Sequence, residues 1–258
     1  MPDILTTKSG RKIAYHSSTG TGTGTGTGPG LVFLGGFMSD MDGTKAVELE
    51  AWAKSEGRAF LRFDYSGHGA SSGTFAEGTI GDWADDAMAA ITTLTTGPQV
   101  LIGSSMGGWI SLLMSKRIPD RIAGLVTIAA APDFTEDSMW AGFSPDQKAA
   151  LERDGMIKIP SDYDDPYTIT HALITNGREN LVLRDPLPLP FPTRFLQGTE
   201  DTDVDMSVAT RLITHATGPD MRLVLLKGAD HRFSSPDALH LIREAVTNVL
   251  QVINGDRP

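Results

Sequence analysis

The chain contains no cysteine among its 258 residues. Disulfides, thiolate nucleophiles and cysteine-ligated zinc are therefore excluded. It is also short of positive charge: 22 Lys and Arg stand against 32 Asp and Glu, for a net charge of −10. Nucleic acid is not an expected partner, because its backbone is held by basic patches. Strongly anionic substrates are disfavoured at long range. Aromatic residues make up only 7% of the chain, within an apolar total of 40% that suits a globular protein. No apolar run approaches the roughly 20 residues that cross a bilayer, so no membrane span is expected. The first residues, Met1-Pro2-Asp3-Ile4, have neither the basic start nor the apolar core of a secretory leader. The expectation is a cytoplasmic protein.

What is present is an alternation. A short hairpin is expected over residues 4–7 and 12–16, turning at Ser9-Gly10. A Thr-Gly tract, residues 19–30, follows and reads as a flexible surface loop. Apolar runs at 31–34, 59–63, 99–102 and 122–130 read as strands, interleaved with helical patterns near 43–55, 80–94 and 109–116. A parallel sheet with helices on both faces accounts for strands that alternate with helices and are short apolar runs. Residues 193–196 and 221–226 add two strands, and 237–252 a last helix. Between them, residues 133–192 show no clear strand. They carry several prolines and scattered large apolar residues, among them Met139, Trp140, Phe143, Met156, Ile157, Tyr163, Tyr167 and Leu173. Such residues suit either an apolar pocket or the segment's own core.

The chemistry begins at Gly103-Ser104-Ser105-Met106-Gly107, between an apolar run and an amphipathic one. A strand turning sharply into a helix at G-x-S-x-G presents its central serine on a strained turn, and the flanking glycines admit neighbouring backbone. The spacing selects Ser105 over Ser104. A plain glycine-rich loop would share the pentapeptide. A phosphate-binding loop would need Gly-Lys-Ser/Thr, and Gly107-Gly108-Trp109 stands there instead. A serine hydroxyl needs a base, the base needs an orienting acid, and an acyl oxyanion needs backbone donors. His231 follows the run at 221–226, and Asp201 follows the run at 193–196. Asp203, Asp205 and Asp133 are alternatives for the acid. His16, His68, His171, His215 and His240 read as surface or packing residues. The donors expected are the N–H of Met106 and that of Phe37, in the Gly35-Gly36-Phe37-Met38 turn, with Met38 the second choice.

Three stretches carry a family likeness. They are residues 35–46, GGFMSDMDGTKA; residues 62–73, RFDYSGHGASSG; and residues 103–109, GSSMGGW. With them the chain resembles the serine α/β-hydrolases along nearly its whole length. It is similar in particular to their mitochondrial acyl-protein thioesterase and acyl-glucuronide esterase branch. The resemblance implies an α/β-hydrolase fold: a core at 1–132 and 193–258, with a helical lid inserted at 133–192. It implies a Ser105–Asp201–His231 triad that hydrolyses carboxylic esters or thioesters through an acyl-enzyme, with no cofactor and no metal. Its substrate would be a small-molecule acyl ester or thioester; palmitoyl cysteine and acyl glucuronides are substrates within the branch. The same scaffold supports carbon–carbon hydrolysis and perhydrolysis, and a catalytically silent ligand-binding member is the alternative from another class. Two departures stand out. Many relatives have His-Gly where this chain has Gly35-Gly36, and again where it has Gln197-Gly198.

Overall fold

The computed structural model describes residues 1–20, 28–159 and 166–256. Most of the Thr-Gly tract, and Tyr163, lie outside the described residues. In chain order the first half holds β1 (Asp3–Thr6), β2 (Lys12–Ser18), β3 (Gly30–Leu34), α1 (Thr44–Ser55), β4 (Phe60–Phe63), α2 (Ile80–Leu94), β5 (Gln99–Ser104), α3 (Met106–Arg117) and β6 (Ile122–Ile128). The second half holds α4 (Pro145–Asp154), β7 (Met156–Ile159), β8 (Tyr167–Thr170), α5 (His171–Glu179), β9 (Leu187–Pro188), β10 (Thr193–Gly198), α6 (Met206–His215), β11 (Ala216–Thr217), β12 (Met221–Leu226) and α7 (Pro236–Asn254).

Eight strands form one sheet in the order β1-β2-β4-β3-β5-β6-β10-β12. β1, β2 and β4 pair antiparallel, and every pairing from β4 through β12 is parallel. This is the sheet that the alternation predicts. Side chains along a strand point alternately to its two faces. Val32 and Leu34 accordingly pack with Trp83, Trp109 and Leu212, whereas Leu31 and Phe33 pack with Leu49, Ile242 and Val246. So α2, α3 and α6 cover one face and α1 and α7 the other. Both cores are buried, which is why the central strands are mainly apolar on both faces.

The register brings the strand ends level. Leu34 aligns with Gly103, Ser104 with Ile128, and Ile128 with Leu196. Gln197 and Gly198 align with Leu225 and Leu226. The chain therefore leaves β3, β5, β6, β10 and β12 along one edge, where open parallel sheets place their sites.

Two boundaries differ from expectation. The strand expected over 122–130 stops at Ile128, because Ala129 adopts a left-handed φ of 47°. The stretch between β6 and β10 contains α4 and α5, a π-helical turn at Thr135–Trp140, and an antiparallel β7–β8 hairpin that the sequence does not announce. Within it, Phe143 and Leu173 are buried in the main core. The Trp140 ring packs on Phe143, with Arg178 and Lys148 over it at 4.6 Å and 5.3 Å, and Met156 is exposed. Phe143, Leu173 and Trp140 are thereby engaged in packing, whereas Met156 is not. Tyr167 differs: its ring lies 6.0 Å from that of Phe37. Among the described residues no helix is long and apolar enough to cross a membrane.

Candidate active site

Ser105 occupies the sharp corner between β5 and α3, with φ 54° and ψ −117°. Its N–H donates to Ile128 O at 2.9 Å, and its carbonyl accepts from Gly108 and Ala131. The corner exists because its flanks lack side chains. A Cβ on Gly103 would meet Gly107 O at 2.4 Å, and one on Gly107 would meet Leu34 O at 2.1 Å. Although Ser105 precedes the first turn of α3, its side chain does not cap the helix. The hydroxyl instead faces His231, with Nε2 3.1 Å from Oγ. Ser104 is buried.

His231 lies in the loop after β12. Its Nδ1 is 2.9 Å from Asp201 Oδ2 and 3.1 Å from Oδ1. A carboxylate can only accept, so Nδ1 carries the proton and Nε2 presents a lone pair to Ser105. Asp201 follows β10, and its side chain is fully buried. Its Oδ1 accepts from the N–H groups of Asp203 and Val204, and its Oδ2 from Gln197 Nε2 at 2.9 Å. Burial pushes the Asp201 carboxyl pKa up. The bonds from His231, Val204 and Gln197, with the attraction of His231, outweigh it and hold the value below the usual range.

The other carboxylates are engaged elsewhere. Asp205 caps α6 by accepting from Ser207 N–H. Asp203 is exposed and reaches Asp201 through its backbone. Asp133, fully buried, accepts from the N–H groups of Val182 and Leu183 and from Arg184. Asp201, Asp203 and His231 also form the one group of metal-ligand types among the described residues, with their atoms within 4.8 Å of one another. Four donors already engage the Asp201 oxygens, with His231 Nδ1–H shared between the two.

The Gly35–Met38 turn lies directly against this line. A Cβ on Gly36 would stand 3.4 Å from Ser105 Cβ. Phe37 N–H has no intramolecular partner among the described residues. Met106, as the first residue of α3, has an N–H that the helix leaves unpartnered. Met38, the second choice as a donor, gives its N–H to His68 Nε2 at 3.3 Å. The turn is tied further along by Asp64, whose oxygens accept from Met41 and Ala70 N–H. Burial raises the Asp64 pKa against those two bonds.

Sequence reasoning passed over three contributors. His68 reads as a packing histidine, yet it holds a backbone N–H of the turn. Gln197 reads as a departure from a family pattern, yet its amide holds Asp201. Lys45 lies in the 35–46 stretch, but nothing there marks it as a site residue. Its ammonium donates to the carbonyl of Arg232, beside His231, and burial pushes its pKa down to about 8, with Asp230 raising it and Arg232 lowering it.

Residues 31–159 match the family described as serine aminopeptidase, S33. The mitochondrial palmitoyl-protein thioesterase ABHD10 of Rattus norvegicus is 34% identical over 216 residues, covering 83% of this chain and 72% of that protein. Its Homo sapiens counterpart is 32% identical over 228 residues, covering 88% and 74%. The structure of alpha/beta hydrolase domain-containing protein 10 from mouse superposes with a TM-score of 0.88 at 30% identity, covering 98% of this chain and 99% of that one.

Proposed function

The chain belongs to the α/β-hydrolase family that includes the serine aminopeptidase S33 group, and from that membership we propose that it is a serine hydrolase of carboxylic esters or thioesters acting through an acyl-enzyme. The observation that carries this reading is the unbroken hydrogen-bonded line Asp201–His231–Ser105. His231 Nε2 takes the Ser105 proton as Oγ attacks the acyl carbon. Asp201 holds the ring in that tautomer and stabilises the imidazolium that forms. The N–H groups of Phe37 and Met106 receive the tetrahedral oxyanion. One such donor is worth roughly 3–4 kcal/mol in the transition state. His231 then gives its proton to the departing alcohol or thiol. A water repeats the sequence on the acyl-serine and releases the carboxylic acid.

The relatives named palmitoyl-protein thioesterases motivate a substrate with a long acyl chain. Our reading of residues 133–192 as a lid over Ser105 rests on Tyr167, whose ring meets Phe37 beside the reacting centre. Each methylene buried there is worth about 0.8 kcal/mol, so octanoyl and palmitoyl substrates should exceed acetyl in kcat/KM. A flat profile, or a steady fall with chain length, would remove the lid pocket and leave the triad standing. The triad has its own test. Ser105→Ala should abolish turnover and fluorophosphonate labelling while keeping its fold, and Ser104→Ala should retain both. Turnover surviving in Ser105→Ala refutes the serine mechanism.

A further inference from the structure

We propose that His68 is a positioning residue: by accepting the N–H of Met38 it holds the Gly35–Met38 turn in the shape that aims the Phe37 N–H at the oxyanion. The inference rests on the serine-hydrolase reading above and adds a residue that this reading does not contain.

Met38 has φ 54°, a left-handed conformation costly for a residue with a side chain. Its own side chain is half exposed and has little with which to hold that conformation. Its N–H, however, meets His68 Nε2 at 3.3 Å. His68 is in turn held from behind. Nδ1 is 3.2 Å from Ser66 O, and the same carbonyl accepts from Trp83 Nε1 at 3.0 Å. Ser66 gives its N–H and its hydroxyl to Asp86 Oδ2, and Asp86 Oδ1 accepts from Arg11. A run of hydrogen bonds therefore leads from Arg11 through Asp86, Ser66 and His68 to the turn.

The partners dictate the ring's chemistry. A carbonyl only accepts and an N–H only donates. Both bonds therefore form together only in the neutral imidazole with its proton on Nδ1. The ring is 4% exposed, and burial lowers its pKa, against upward pulls from Ser66 O and Asp86. The acceptor lone pair is thereby kept available. A histidine present only for packing would need neither partner.

The same group grips the neighbouring side chain. The Phe37 ring stands edge-on to Phe75 at 4.7 Å and to Trp83 at 5.9 Å. Those two rings also enclose His68, at 5.2 Å and 5.1 Å. Backbone and ring of the turn thus take their position from one cluster. A donor must sit where the oxyanion forms, not where the ground-state oxygen lies, so a small displacement of Phe37 N–H lowers turnover more than binding.

The test is steady-state hydrolysis of a p-nitrophenyl ester by the full chain and by His68→Leu, His68→Gln and Ser105→Ala. Leucine fills the space without an acceptor, and glutamine can place Oε1 near the position of Nε2. His68→Leu should lose kcat on the order of 10- to 100-fold with KM nearly unchanged, since a displaced donor costs less than a deleted one. His68→Gln should recover most of that loss. Full kcat in His68→Leu, a change confined to KM, or equal losses in the two variants would overturn the proposal. Should His68→Leu fail to fold, His68→Asn replaces it: asparagine is too short to reach Met38, so equal kcat in His68→Asn and His68→Gln would overturn the proposal. Ser105→Ala separates the two levels. An active Ser105→Ala defeats the serine-hydrolase reading itself, whereas an inactive one beside a fully active His68→Leu defeats only the role of His68.

Discussion

A serine at φ 54° stores strain on the order of 1–3 kcal/mol, and the residues around it are chosen to permit that strain. Gly107 is the least replaceable of them. Gly107→Ala would set a Cβ 2.1 Å from Leu34 O, between two backbone segments that cannot both move. It should destabilise the chain by more than about 4 kcal/mol or prevent folding, read from urea denaturation. Gln197 predicts a milder outcome. Gln197→Leu removes a hydrogen bond to the Asp201 carboxylate, a class worth roughly 1.5–3 kcal/mol. We expect kcat to fall about tenfold or more with the fold intact, and unchanged kcat would deny Gln197 a part in holding Asp201. These two residues also show what single positions disclose. The G-x-S-x-G glycines are legible because their spacing encodes a backbone clearance. The partners of Gln197 and His68 are a carboxylate on the following loop and a main-chain N–H 30 residues away, neither of which leaves a mark at the residue itself.

Elements buried on both faces were the easiest to read. β3, β5 and β6 are nearly all apolar, and the helices between them leave little freedom in pairing. The β7–β8 hairpin was hidden because each strand has four residues and only partial burial, too little alternation to separate from a loop. The loop that follows α5 returns to the core on one carboxylate. Asp133 receives Val182 N–H, Leu183 N–H and Arg184, and its side chain is fully buried. Asp133→Ala leaves the Val182 and Leu183 N–H groups without an acceptor, while Arg184 keeps Asp137. Each orphaned donor should cost about 1–3 kcal/mol. Limited proteolysis should then cut first within residues 133–192. Unaltered thermal stability would mean that water replaces the carboxylate.

Across the whole molecule, buried carboxylates pull acid stability in opposite directions. Burial raises Asp64 and Asp133, so their contribution is present below the ordinary value near 4 and is lost as pH rises through their folded values. Glu50 and Asp137 lie below their ordinary values: the hydrogen bonds and charges of Lys54 and Arg62 on the first, and of Arg184 and Arg211 on the second, outweigh desolvation. Together with Asp201 they stabilise the fold above about pH 4 and lose that contribution as pH falls through their folded values. The urea midpoint should rise as pH falls through the folded values of Asp64 and Asp133, and then decline below about pH 4 as the depressed carboxylates protonate. Asp137→Asn should lower the neutral midpoint and shrink the acid decline. The sheet order also has a consequence in time. Ser105 and His231 are separated by 126 positions, and β12, which precedes His231, joins the sheet at its edge through β10. Trp83 finds its partners Phe37, Ser66, His68 and Phe75 within the first half of the chain, whereas Trp109 also needs Phe134 and Asn180 from the second. Distant pairings form slowly. On refolding, the fluorescence of Trp83, followed in a chain whose other tryptophans are replaced by Phe, should therefore recover first and catalysis later, so that the return of turnover marks the docking of the last strand.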